Sequence, residues 1–202
     1  MLSRKRLITI VLSLITLITN KVSFADWKEG ANAVDVSGGE HHTLVVTADS
    51  AAWACGNNSY YQLGTGNTQH KWTLIRVDDG DMGTSSGDLE NIDDIDAGWK
   101  HSLALDISGH VWAWGYDDWG QLGNGEAGTS STPVLVHGVD DVGYLGNITC
   151  ISAGRSGEHS LAVDSSDLVY AWGRNQEGQL GNDLNGPGCE NGYRRICPPQ
   201  SQ

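Results

Sequence analysis

Three histidines, each followed by a hydroxyl residue and a leucine, are the side chains here most suited to chemistry: His42-Thr43-Leu44, His101-Ser102-Leu103 and His159-Ser160-Leu161. An imidazole beside a hydroxyl can activate a nucleophile, and several imidazoles together can hold a metal. The spacing argues against both. The His-to-His steps are 59 and 58 residues, so each histidine has the same place in a repeated unit and the three are expected to sit far apart. The repeat thereby excludes a catalytic dyad or a shared metal. The structural reading is an imidazole tying its strand to a neighbouring backbone.

The cysteines and acids give no stronger site. Cys189 and Cys197 lie close together in a Gly/Pro-bearing tail and could close a small disulfide loop. Cys55 falls in a core strand and is expected to be a buried, inert thiol, while Cys150 opens the third unit. A bridge between them is not expected, because units one and three should not be neighbours. Asp79, Asp81 and Glu90 match positions 1, 3 and 12 of a calcium loop. Thr84 stands where that loop needs glycine, and Gly83 offers no side-chain ligand, so a solvated acidic insertion is the reading adopted. Asn57-Asn58-Ser59 and Asn147-Ile148-Thr149 are glycan acceptor patterns, relevant only in a eukaryotic source. No phosphate-binding glycine loop, zinc spacing, nucleophile elbow or coupled Cys and His is found, and no cofactor is expected.

The elements that position these residues follow from the repeat. In each copy 14 positions separate the His from the glycine closing an aromatic strand (Gly56, Gly115, Gly173), and 8 more lead to the glycine of Gln-Leu-Gly (Gly64, Gly123, Gly181). Such a period marks stacked supersecondary units. The second copy reads as four short strands: 91–97, 101–105, 110–115 and 134–136. Unit one gives 34–36, 42–46, 52–56 and 74–77; unit three gives 148–153, 159–163 and 168–173, with an incomplete last strand. Four antiparallel strands repeated radially form a β-propeller blade, with Trp114 and Trp172 filling the wedge between sheets. Asn58, Asp117 and Asn175, two residues after the strand-ending glycine, are expected to hydrogen-bond local backbone or enter the left-handed region. The divisions are residues 26–80, 81–140 and 141–202, one blade each.

Residues 1–25 stand apart. Arg4, Lys5 and Arg6 precede an uncharged run from Leu7 to Thr19, and Ser23-Phe24-Ala25 supplies small residues for signal peptidase. A run of about 13 residues spans only ~20 Å, short of a ~30 Å hydrocarbon core, so no stable membrane anchor is expected. The reading is a cleaved signal and a secreted or periplasmic protein. Four of the 12 basic residues leave with it and none of the 25 acidic ones, so the remainder carries 8 basic against 25 acidic side chains, a formal −17. That balance disfavours nucleic acid as a partner.

Gly98-x-x-His101-Ser102-Leu103 followed by Trp112-x-Trp114-Gly115-x-Asp117-x-x-Gly120-Gln121-Leu122-Gly123 resembles the regulator of chromosome condensation repeat, and the resemblance covers roughly residues 34–183. It implies a propeller, commonly of seven blades, that serves as a protein-interaction platform. This chain departs from the pattern in three places: Tyr61 replaces glycine, Cys55 replaces Trp, and the third His loop is lengthened to 154–158. Well-known members exchange guanine nucleotide on a small GTPase. A secreted bacterial member that inhibits β-lactamase is the nearer analogy by export, though fold alone is a weak warrant for function. Three units are too few to close a ring of about four to eight blades, which leaves further blades, self-association or a short open arc.

The loops between the aromatic strand and Gln-Leu-Gly vary on a repeating frame. The candidate protein-binding residues are therefore Tyr60 and Tyr61, Tyr116, Asp118 and Trp119, and Arg174, Gln176 and Glu177. The expectation is an all-β partial propeller of three four-stranded blades, exported, non-enzymatic and protein-binding. The alternative is a modulator of another enzyme, either an exchange factor for a small GTPase or a hydrolase inhibitor.

Overall fold

A computed structural model describes residues 32–83, 87–126 and 128–181, and the backbone of 195–197. The signal segment, Cys189 and the side chain of Cys197 lie outside the described residues. Twelve strands form three four-stranded antiparallel sheets in chain order. The first holds β1 Ala33–Gly38, β2 His42–Thr47, β3 Ala52–Gly56 and β4 Lys71–Arg76. The second holds β5 Ile92–Ala97, β6 His101–Asp106, β7 Val111–Gly115 and β8 Ser130–Leu135. The third holds β9 Ile148–Ala153, β10 His159–Asp164, β11 Val169–Gly173 and β12 Arg195–Cys197. These are the three expected blades, with the register repeated: His42, His101 and His159 pair with Gly56, Gly115 and Gly173.

The fourth strand differs most from the sequence reading. It starts earlier, at Lys71 and Ser130, and ends before Val77 and Val136. Those two valines are fully buried, and their amides still donate to the Ala52 and Val111 carbonyls of the third strands at 3.1 and 2.9 Å. The cause is a bulge on the fourth strand: as the third advances from Ala54 to Gly56 its partner runs from Ile75 back to Lys71, and from Ala113 to Gly115 it runs from Val134 back to Ser130, so the fourth strand reaches further back.

Alternation along the strands places the core between blades rather than within one. Leu44, Val46, Ala54 and Leu63 of blade 1 pack against Ile92, Ile95, Trp112 and Trp114 of blade 2. Leu103, Leu105, Val111 and Leu122 of blade 2 pack against Ile148, Ile151, Tyr170 and Trp172 of blade 3. The middle sheet therefore has its central strands, β6 and β7, buried along their whole length. Trp114 and Trp172 are fully buried; burying a side chain of that size stabilises by about 4 kcal/mol. The acidic insertion is anchored, not wholly solvated: Asp78 bridges Asp88, and Met82 of the 3₁₀ turn Gly80–Met82 packs on the first core.

A polar relay crosses each blade interface. Ser102 Oγ donates to the Gln62 carbonyl at 2.8 Å, where Trp114 Nε1 also donates at 2.9 Å. Its single proton being used, Ser102 accepts from His42 Nε2 at 3.0 Å. Ser160, Gln121, Trp172 and His101 repeat the arrangement between blades 2 and 3. The histidines thus tie to the next blade's hydroxyl, not directly to backbone. Nor are they far apart: His42 reaches Ser102, the residue after His101, and His101 reaches Ser160, the residue after His159, each at 3.0 Å, so that neighbouring charges bear on His101. Burial, then this repulsion, lowers its pKa to about 3, and burial with His41 lowers that of His42 to about 4.

Candidate protein-binding face

The loops between the third and fourth strands are held by their own side chains. Asn58, Asp117 and Asn175 accept through Oδ1 from the amides of Leu63, Leu122 and Leu180 at 2.9, 2.7 and 3.0 Å. Gln62, Gln121 and Gln179 accept through Oε1 from the amides of Tyr60, Trp119 and Glu177. The Gln of Gln-Leu-Gly therefore works twice in the first two blades, its amide shaping its own loop and its carbonyl receiving the next blade. The varying residues between these fixed points are carried on a rigid turn.

Seven of the eight candidate residues come together in two adjoining clusters, each built across a blade boundary. Tyr60 of blade 1 meets Tyr116 of blade 2 edge to face, with centroids 5.3 Å apart. Lys100 Nζ sits over Trp99, Tyr60 and Tyr116 at 3.7, 4.4 and 5.1 Å from their ring centroids. Tyr116 Oη donates to Asp118 at 2.6 Å, and this bond holds its phenol pKa well above the usual value. In the second cluster Arg174 lies 5.5 Å from the Trp119 centroid and donates to Gln176 at 2.7 Å and Glu177 at 2.9 Å.

Arg174 is further fixed by the buried carboxylate of Glu158 at 3.3 Å. Tyr61 stands apart: at φ 60 it fills the left-handed turn position that Gly120 and Gly178 occupy at 74 and 76. Trp99, Lys100 and Glu158 were missed by the sequence reading. They sit in the positions just before the repeated His, which had been treated as frame.

One residue in this frame is electrostatically unusual. Asp117 takes the place of Asn58, whose Nδ2 donates to Thr65 Oγ1 and the Asn67 carbonyl. Asp117 Oδ2 has no hydrogen-bond partner in the described structure, and burial, despite the Leu122 amide, raises its pKa to about 7. Cys55 also departs from expectation, being half-buried; desolvation raises its thiol pKa. It faces outward on the first sheet, where no further blade among the described residues covers it. Cys55 and Cys150 are both free. Among the described residues no three metal-ligating side chains cluster.

Charge is divided between the two ends of the arc. The hairpins joining second to third strands and the connections between blades share one end, which carries Asp49, Asp78, Asp79, Asp81, Asp88, Asp106, Asp140, Asp141, Asp164 and Asp167, with Arg76 the only described Lys or Arg. The end bearing the candidate loops is more evenly balanced, with Lys71, Lys100, Arg155 and Arg174 among Glu40, Asp117, Asp118, Glu126, Glu158 and Glu177. Arg155, on the lengthened third loop, reaches back to donate to the Gly38 carbonyl of blade 1 at 3.1 Å.

Comparison with known proteins places this geometry. The regulator of chromosome condensation (RCC1) repeat matches residues 49–105, 108–163 and 166–200; the first two windows run from the third strand of one blade into the next, and the last covers the third and fourth strands of blade 3. The chain is 34% identical over 155 residues to the human probable E3 ubiquitin-protein ligase HERC6, covering 75% of this chain and 14% of that one. It is 33% identical over 148 residues to the Arabidopsis thaliana ultraviolet-B receptor UVR8, covering 72% and 30%. Among solved structures, human WBSCR16 superposes with a TM-score of 0.64 at 26% identity, over 82% of this chain and 39% of that one. Yeast RCC1 (Prp20), solved with Kap60, shares the fold at a TM-score of 0.59 and 22% identity, over 79% and 36%. The chain thus spans well under half the length of each of these relatives, and it belongs to the RCC1 repeat family.

Proposed function

We propose that this chain is an exported, non-catalytic RCC1-repeat protein whose loop-bearing end docks another protein. The observation that carries the reading is the pair of cation–aromatic clusters: Tyr60, Trp99 and Tyr116 around Lys100, then Trp119 against Arg174. Tyr, Trp and Arg are the residues that most often anchor interfaces, and here they lie on the end with most of the described basic side chains. Protein docking is also described for solved neighbours, yeast Prp20p binding Gsp1p and histones, and yeast RCC1 bound to Kap60. The acidic balance of the chain supports a protein rather than a nucleic-acid partner. Export rests on the Arg4-to-Ala25 segment, and N-terminal sequencing of the chain released by its source cells is expected to begin at Asp26.

The docking face is tested by placing a photo-crosslinking residue at position 119, and a second at position 140 on the acidic end, in the protein in its native extract. The expected result is one adduct specific to position 119. The dissociation constant for that purified partner should rise at least tenfold in Y60A and in K100E. An adduct from position 140 alone, or an affinity unchanged in both variants, would overturn the reading.

A further inference from the structure

If the loop-bearing end docks a protein, the chemistry of that partner follows from what the Lys100 cluster already uses and what it leaves over. Lys100 Nζ lies 3.7, 4.4 and 5.1 Å from the ring centroids of Trp99, Tyr60 and Tyr116. The ring faces attract its charge but accept its N–H groups only weakly. Among the described residues the ammonium has no carboxylate or carbonyl to donate to, and neither the Tyr60 hydroxyl nor the Trp99 indole N–H has an acceptor. Tyr60 is 38% exposed, and solvent reaches the Lys100 and Trp99 nitrogens.

The neighbouring groups are spent. Tyr116 donates its proton to Asp118 at 2.6 Å. Arg174 donates to Glu158 at 3.3 Å and also to Gln176 and Glu177. What remains around Lys100 is three donors and one positive charge, held in a collar of aromatic surface.

The complement of that arrangement is a single carboxylate. It brings one negative charge and acceptor oxygens with about four lone-pair sites, and the rings shield the ion pair from water, which strengthens it. A phosphate fits less well. Asp118 and Glu158 both lie near enough to act on the Tyr116 phenol, and a second negative charge on the ligand would meet them.

We propose that the Lys100 collar receives the side-chain carboxylate of an Asp or Glu on the partner protein, with Lys100 Nζ donating to it and the Tyr60 hydroxyl and Trp99 indole N–H completing its acceptor sites. The inference rests on the docking face proposed above. Every part of the collar comes from blades 1 and 2, across the joint they share. Specificity for an acid resides in Lys100, whereas Arg174, already spent on its own neighbours, contributes shape.

The probe is a phage-displayed library of short random peptides, selected in parallel on the immobilised chain, on Y60A and on K100M, in which an uncharged side chain of similar length fills the collar. The acidic excess of the chain favours basic peptides at large. A consensus with one fixed Asp or Glu, enriched on the parent and on neither variant, is therefore the expected and discriminating result. For the synthetic consensus peptide, changing that acid to its carboxamide should raise the dissociation constant at least tenfold, and K100M should do the same. The two changes together should cost no more than either alone, because they remove the two ends of one contact. K71M, which removes a charge from the same end but outside the collar, should change the constant less than twofold. A consensus without an acid, a carboxamide peptide that binds as well as its parent, or additive losses in the double change would each overturn the proposal. So would a phosphoserine peptide binding at least tenfold more tightly than the carboxylate one. A consensus enriched on the parent and K100M but not on Y60A would remove the carboxylate and leave the docking face standing. The same peptides from all three selections would remove the docking face as well.

Discussion

Asp117 shows how one atom can set the pH response of a blade. Its Oδ1 does what Asn58 and Asn175 do, but its Oδ2 has nothing to accept from, so the folded state favours the protonated acid. The sign follows from the folded pKa of about 7 lying above the ordinary carboxylate value. As pH rises from about 4 the unfolded chain ionises first, and stability is lost until about pH 7, above which the penalty is constant. D117N supplies the missing donors. We expect it to raise stability by a few kcal/mol at pH 8 and by almost nothing at pH 4. Urea denaturation at the two pH values reads this directly.

At the scale of elements, the stabilising unit is the joint between blades rather than the blade. S102A leaves both His42 Nε2 and one partner of the Gln62 carbonyl unmet inside a buried interface. A loss of about 1–3 kcal/mol in denaturant unfolding is expected, against well under 1 kcal/mol for S166A on an exposed hairpin. G115A should cost more, because Gly115 sits at φ 102 and an added Cβ would lie 2.6 Å from the Lys100 carbonyl; soluble expression falling well below that of S102A would show it.

Much of this scale was legible beforehand. The spacing of His, aromatic-Gly and Gln-Leu-Gly gave three sheets and most strand positions, since alternation and glycine corners are local properties. The fourth strands were misplaced because each carries a bulge, between Lys71 and Ile75 and between Ser130 and Val134, that resets its register, and a bulge leaves no periodic signal. The binding face was half legible. Variable loop residues stood out against the repeat, whereas Lys100 and Trp99 became visible only once blades 1 and 2 were laid side by side. The nearness of the three histidines was hidden for the same reason, because sequence separation says nothing of distance around a narrow axis.

Across the whole molecule, the row of buried neutral imidazoles governs acid stability. His42 and His101 titrate in the unfolded chain near the ordinary histidine value but in the fold only at about 4 and about 3. The stability they contribute is full above about pH 6.5 and drains away as pH falls toward those values. Asp117 works in the opposite direction over part of the same range. D117N should therefore show a steeper loss of stability between pH 6.5 and 4 than the parent chain, and thermal melts across that range should separate the two curves.

The division of charge between the two ends also acts before any contact is made. An approaching molecule with negative potential meets repulsion at the end carrying Asp49, Asp106 and Asp164 and a weaker barrier at the end carrying Lys100 and Arg174. The loop-bearing end is thus the one turned toward such a molecule during the diffusional encounter, over distances of about one Debye length, ~8–10 Å at moderate salt. Raising ionic strength screens both barriers and should then speed capture while making it less selective for one end, with the lifetime of the formed complex nearly unchanged, a kinetic asymmetry built in by which loops happen to share an end of the sheet.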